Sequence, residues 1–170
     1  DHDEMYAKIL EDRYGRRPNV RIDRASLTDS AACRRWEDER IDTVLCSNVL
    51  EHLGPDRQVL ADFHRTLVPG GHCVIVVPAG RWLYTTLDRE LGHVRRYTPN
   101  ALAAKMKEAG FDVVFSKRFS KLGSLCWAFS GHLLRRREIR PGQMLWFDRI
   151  LPIAKTLEHV LPVPGMSLIM

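Results

Sequence analysis

The sequence predicts an α/β domain with a largely parallel sheet, on three observations. Segments with helical apolar spacing alternate with strand-length apolar runs along the chain. The most apolar block, 73–79, is strand length, and its uninterrupted part is what a strand covered on both faces requires. The chain has 170 residues, 45% of them hydrophobic, which suits one domain with a sizeable core.

The elements follow in order. Residues 4–13 place Met5 and Ile9, with Tyr6 and Leu10, on one helical face, and Gly15 ends that helix before a turn at Arg17-Pro18-Asn19. Residues 20–25 read as a short strand. Thr28 or Asp29 caps a helix through Ala31, Cys33 and Trp36. A buried strand is expected at 41–46. Val59, Leu60, Phe63 and Leu67 mark an amphipathic helix, stopped by Val68-Pro69-Gly70-Gly71. The strand at 73–77 ends at Pro78. Thr98-Pro99 starts a helix with Leu102, Met106 and Ala109 inward, Gly110 ends it, and 111–115 follows as a strand. Residues 120–160 are helical but irregular, broken by Gly131, Pro141-Gly142 and Pro152, and 167–170 has the makings of a last strand.

No run approaches the roughly 18 apolar residues of a membrane-spanning helix. Lys and Arg exceed Asp and Glu by 26 to 21. That modest balance, with no binding motif beside it, argues against nucleic acid as a partner. Cys33, Cys46, Cys73 and Cys126 are widely spaced with no C-x-x-C pair, which argues against disulfide or zinc frameworks and for a reducing, cytoplasmic setting.

In open parallel sheets, ligands bind beyond the C-terminal ends of the strands. Ser47-Asn48-Val49-Leu50-Glu51-His52 and the stretch 78–88 occupy such positions, as do Ser26-Leu27-Thr28-Asp29 and Asp1-His2-Asp3. The run DTVLCSNVLEHL at 42–53, then LVPGG at 67–71 leading into VIVVP at 74–78, resembles class I S-adenosylmethionine-dependent methyltransferases of the type 11/12 kind. GHVRRYT at 92–98, followed by a helix and Ala109-Gly110-Phe111, is similar to the same families.

The resemblance implies a Rossmann-like three-layer sandwich with a mostly parallel sheet and S-adenosylmethionine as cofactor. Asp1 would bind the ribose hydroxyls and His2 would lie beside the adenine. Ser26 and Leu27 would border the adenine ring, with Ser26 standing where an acid is usual. Ser47 and Asn48 would approach the methionine part. The family's first strand and glycine-rich turn would precede Asp1, and no G-x-G occurs in the chain. The expected fold is therefore N-terminally truncated: a core at 1–119, a helical insertion or cap at 120–165, and a last core strand at 166–170.

Each site residue also has a plainer reading. Asp1 is either the ribose ligand or a frayed terminus, and Asn48 either a cofactor contact or a strand-end turn former. His52 and His93 are candidate general bases. For Glu51-His52 the alternative is a helix start, since the dipole alone favours an acid there; for His93 it is loop packing. Some relatives bind a metal through Glu-x-x-Glu-His. Here the first position is Asn48, so no metal is expected. Trp82, Tyr84, Arg96 and Tyr97 either contact substrate or pin their loop, and Asp88 either serves the site or only pairs with a nearby arginine.

Seven Lys or Arg between 116 and 140 (Lys117, Arg118, Lys121, Arg135, Arg136, Arg137 and Arg140) stand against the single acid Glu138. They suit an anionic membrane surface met peripherally, a phosphate-bearing substrate, or a solvated face.

The expected activity is methyl transfer to a small-molecule or lipid-like acceptor. The rival is a non-catalytic binding module on the same fold. A short-chain reductase is excluded because no tyrosine has Lys four residues on. A serine hydrolase is excluded because no G-x-S-x-G occurs.

Overall fold

The computed structural model describes residues 3–134, Arg149, Thr156 and 158–170. Asp1, His2, Arg135, Arg136, Arg137, Arg140, Pro141-Gly142 and Pro152 lie outside the described residues.

Helix α1 (Glu4–Tyr14) starts at Asp3, whose carboxylate accepts the amides of Met5 and Tyr6. Its apolar face is where the spacing puts it, yet none of its residues is buried. Residues 20–25 form no strand. Among the described residues no strand pairs with them, and Arg21 instead folds back on Asp23 and Glu39. A short α2 (Ser30–Arg34) is capped by Asp29, the second of the two expected caps.

Strand β1 (Ile41–Ser47) runs parallel to β2 (Leu67–Pro78), with helix α3 (Asp56–Thr66) crossing between them. The β2 strand begins earlier than the sequence suggests. Leu67 already pairs with Ile41, and the expected stop at 68–71 is absorbed where the register slips between Ile41 and Thr43. After the short α4 (Thr86–Glu90) and α5 (Pro99–Glu108), the next ladder opens at β3 (Lys117–Phe119). Residues 111–115 are not a strand, because on that side β4 (Ser167–Ile169) meets only Lys117–Phe119.

The sheet order is β1-β2-β4-β3, and β4 is antiparallel to both its neighbours. Three strands therefore share one direction and one opposes them.

In-register partners share a face. Cys46 sits opposite Ile75 and Val77 opposite Leu168, and all four are buried against Leu60 and Phe63 of α3 and Leu102 and Met106 of α5. Shortening Leu60 or Leu102 to Ala would cost about 2–5 kcal/mol. Covering of the other face is partial: Val74 and Val76 stay half-buried and Leu45 is 68% exposed.

Helix α6 (Lys121–Ala128) continues into a π-helical turn, Phe129–Leu133. Gly131 does not break the helix there. A Cβ at this position would collide with the Thr85 side chain, so the glycine permits a close approach to α4.

Candidate functional site

The C-terminal ends of β1 and β2 bring three segments together. Asn48, directly after β1, adopts φ 52°, a left-handed conformation that Asn tolerates better than most residues. Its amide donates to the Val76 carbonyl at 2.8 Å. A one-turn helix, Leu50–His52, follows. The Glu51 carbonyl then accepts the Val94 amide at 2.9 Å, which ties the loop after α4 to this turn.

Asp88 organises that loop. It closes a capping box with Thr85 at the start of α4, accepting the Thr85 amide at 2.9 Å. It also accepts Nδ1–H of His93 at 2.9 Å, Nε–H of Arg96 at 2.7 Å and the indole N–H of Trp127 at 3.2 Å. Burial alone would raise its pKa. The hydrogen bonds from His93, Arg96 and the Thr85 amide outweigh burial and hold it down to about 2. Asp88 is thus a buried anion that fixes the orientation of the His93 ring through Nδ1–H.

Glu51 is fully buried, and neither carboxylate oxygen has a hydrogen-bond partner. Burial pushes its carboxyl above the ordinary range. His52 Nε2 and His93 Nε2 each lie 4.0 Å from Glu51 Oε1, and the two rings meet edge to face at 4.8 Å. His52 donates Nδ1–H to the Gly92 carbonyl at 3.2 Å. The structure therefore brings both candidate bases to one place. The sequence pattern, read for Glu-x-x-Glu-His with Asn48 at its first position, gave no sign that His93 would meet Glu51 and His52.

The remaining site residues have definite surroundings. Tyr84 donates its hydroxyl to the His93 carbonyl at 2.8 Å and, with Arg96 and Tyr97, walls a cavity of about 480 Å³ that Arg81, Arg95 and Lys105 also line. The Arg96 side chain is fully buried on Asp88 and lies under the Trp127 ring. Tyr97 is buried too, donating to Asp56 at 2.8 Å. Burial and the Asp56 charge push its phenol far up, so it stays a donor. Trp82 is half exposed, its carbonyl accepting from His132 at 2.8 Å.

Ser47 and Asn48 are exposed at the strand end, linked by a weak 3.4 Å bond. Ser26 shares a hydrogen bond with Thr28, and Leu27 packs on the core. Of the described basic residues, Arg118 donates to the Gly165 carbonyl and Lys121 to the Leu161 carbonyl, so both point into the protein. No helix among the described residues is long and apolar enough to cross a membrane. The thiols of Cys46 and Cys73 are pushed by burial up to about 11 and about 12.

A sequence profile of a methyltransferase domain matches residues 4–115. Solved structures share the fold. A SAM-dependent methyltransferase from Archaeoglobus fulgidus superposes with TM-score 0.62 at 16% identity, over 99% of this chain and 72% of that one. An S-adenosylmethionine-dependent methyltransferase from Mesorhizobium loti gives 0.55 at 16% identity, over 99% and 76%. The trans-methyltransferase CalH, solved with SAH, gives 0.52 at 19% identity; the match covers 65% of this chain and spans 34% of CalH. No curated protein matches the chain. With the profile covering well over half its length and the four-stranded mixed sheet laid out as in these enzymes, the chain belongs to the methyltransferase domain family.

Proposed function

We propose that the chain is part of an S-adenosylmethionine-dependent methyltransferase acting on a small-molecule or lipid-like acceptor. Methyl transfer from a sulfonium is an in-line displacement, so the protein's main task is alignment and exclusion of water. A base is needed only when the nucleophile arrives protonated. The observation that carries this reading is the His52–His93 pair at the C-terminal strand ends, with His93 held by an ionised Asp88. In this reading Asp1, His2, Ser26, Leu27, Ser47 and Asn48 hold the cofactor. His93 or His52 takes the acceptor's proton, and Trp82, Tyr84, Arg96 and Tyr97 border the acceptor.

Residues 120–165 cap that site in this reading. Trp127 and His132 support it, bonding respectively to the Leu83 and Trp82 carbonyls of the loop after β2. A membrane-facing role falls to Arg135–Arg137, whose neutralisation would abolish sedimentation with anionic vesicles at low salt. The rival, a non-catalytic module, is favoured by Ser26, which spends its hydroxyl on Thr28 and offers no carboxylate to an adenine amine.

A strand followed by a G-x-G turn in upstream sequence favours the enzyme and its absence the module; calorimetric titration of S-adenosylmethionine into the full chain, and into a form extended upstream, tests the cofactor. Binding supports the cofactor reading, and its absence in both forms overturns it. Undiminished binding by Asp1→Ala in the extended form overturns only the ribose assignment.

A further inference from the structure

The three side chains at the junction of the β1 turn and the His93 loop pose a charge problem of their own. The Nδ1–H groups of His52 and His93 are spent on the Gly92 carbonyl and the Asp88 carboxylate. That leaves Nε2 of each ring as the nitrogen without a hydrogen bond, 4.0 Å from Glu51 Oε1. The Glu51 carboxylate has no donor, and at 4.0 Å neither imidazole hydrogen-bonds to it. Three side chains able to donate a lone pair converge with no hydrogen bond between them.

From this geometry we infer that Glu51, His52 and His93 bind one first-row transition-metal dication through Glu51 Oε1 and the two Nε2 atoms. The donor atoms lie within 4.8 Å of one another. Around one ion with bonds near 2.1 Å, tetrahedral donors stand about 3.4 Å apart, so the set closes by small side-chain adjustments. Two imidazoles and one carboxylate suit zinc or iron(II) rather than magnesium or calcium, which favour all-oxygen shells.

The supporting groups are in place. Metal-bound histidines usually donate their second ring nitrogen to a carboxylate or a backbone carbonyl, as both rings do here. Glu51 is fully buried while His52 keeps 38% of its side chain exposed, which leaves one side of the ion open to a further ligand. Three protein ligands and an open position define a site that can engage a reactant. The inference does not rest on methyl transfer. It concerns only what these donors hold, although an ion seated there would take the lone pairs assigned to a base above.

The test is equilibrium dialysis of the full chain, stripped with chelator, against zinc, with the bound metal counted by mass spectrometry. Cobalt(II) absorption reports the coordination shell. One ion per chain is expected, with visible cobalt bands. Glu51→Gln, His52→Ala and His93→Ala should each weaken zinc at least tenfold and lose the bands, while His64→Ala, which packs on Phe111 elsewhere, leaves both unchanged. Asp88→Asn should weaken zinc about 10–100-fold. Circular dichroism identifies any variant that fails to fold, and His52→Ala, at the exposed ligand, decides if a buried one does. Sub-stoichiometric metal in the parent chain, or equal affinity in folded ligand variants, overturns the site. S-adenosylmethionine titrated into the same samples scores the cofactor reading separately.

Discussion

Tyr97 donates its hydroxyl to the Asp56 carboxylate across 2.8 Å, joining the loop after β2 to the first turn of α3. Arg95 and Lys105 reach the same oxygen. Burial would raise the Asp56 carboxyl, but the hydrogen bonds from Lys105, Arg95 and Tyr97 outweigh it and hold the pKa below the usual range. A carboxyl with a lower pKa folded than unfolded stabilises the fold above its unfolded value, near 4. That contribution fades as pH falls through the folded value. Asp56→Asn should cost about 3 kcal/mol at neutral pH and flatten the acid limb of a melting-temperature profile. An unchanged acid limb would refute the assignment.

Asp88 and Arg96 form an ion pair with both side chains fully buried. Removing only the acid leaves a buried cation, so Asp88→Asn should lose about 3–5 kcal/mol in urea unfolding. The double variant Asp88→Asn/Arg96→Met should lose less than the sum of the two singles, because neither charge then remains alone.

Glu51 carries the opposite sign. Its buried carboxylate has no donor in the metal-free chain, so Glu51→Gln should raise stability by about 1–2 kcal/mol at pH 7. Calorimetry in the presence of chelator reads this directly. A fall in melting temperature would mean that the carboxylate is already satisfied.

Gly131 meets Thr85 closely enough that a methyl group cannot be added without movement. Gly131→Ala should destabilise by about 1–3 kcal/mol. Limited proteolysis should then cut the segment after α6 sooner than in the parent chain.

The Cys46 and Cys73 thiols, raised by burial to about 11 and about 12, are almost wholly protonated at neutral pH. Iodoacetamide at pH 7.5 should spare both in the native chain and label both in denaturant. Mass spectrometry of the alkylated peptides gives the answer.

Elements whose partners lie nearby in the sequence were the legible ones. The Thr98-Pro99 start, the Leu102 and Met106 face and the β1 and β2 strands all follow from local pattern, and the family resemblance added the site's location. What failed depended on neighbours. Residues 20–25 and 111–115 have strand-like composition, but a strand exists only where another strand meets it, and no single-segment pattern encodes that. The antiparallel placement of β4 between β2 and β3 was hidden for the same reason. His52 and His93 were each legible as candidates, whereas their meeting over Glu51 depends on the Val94-to-Glu51 backbone bond. The role of Asp88 had a readable sign in Thr85-x-x-Asp88, a capping pattern passed over beside the nearby aromatic residues.

The seven-residue β1 strand has one strand neighbour, β2, among the described residues, and Leu45 projects from it largely uncovered. Among the described residues no strand pairs with its other flank, whose amides and carbonyls stand at strand spacing, ready to take one up. Colloidal behaviour follows from that flank. A strand added there, from an upstream segment of the same protein or from a second copy, gains backbone bonds and shelters Leu45, so for the 170-residue chain by itself self-association should climb with concentration despite the mutual repulsion of chains carrying a net charge of +5.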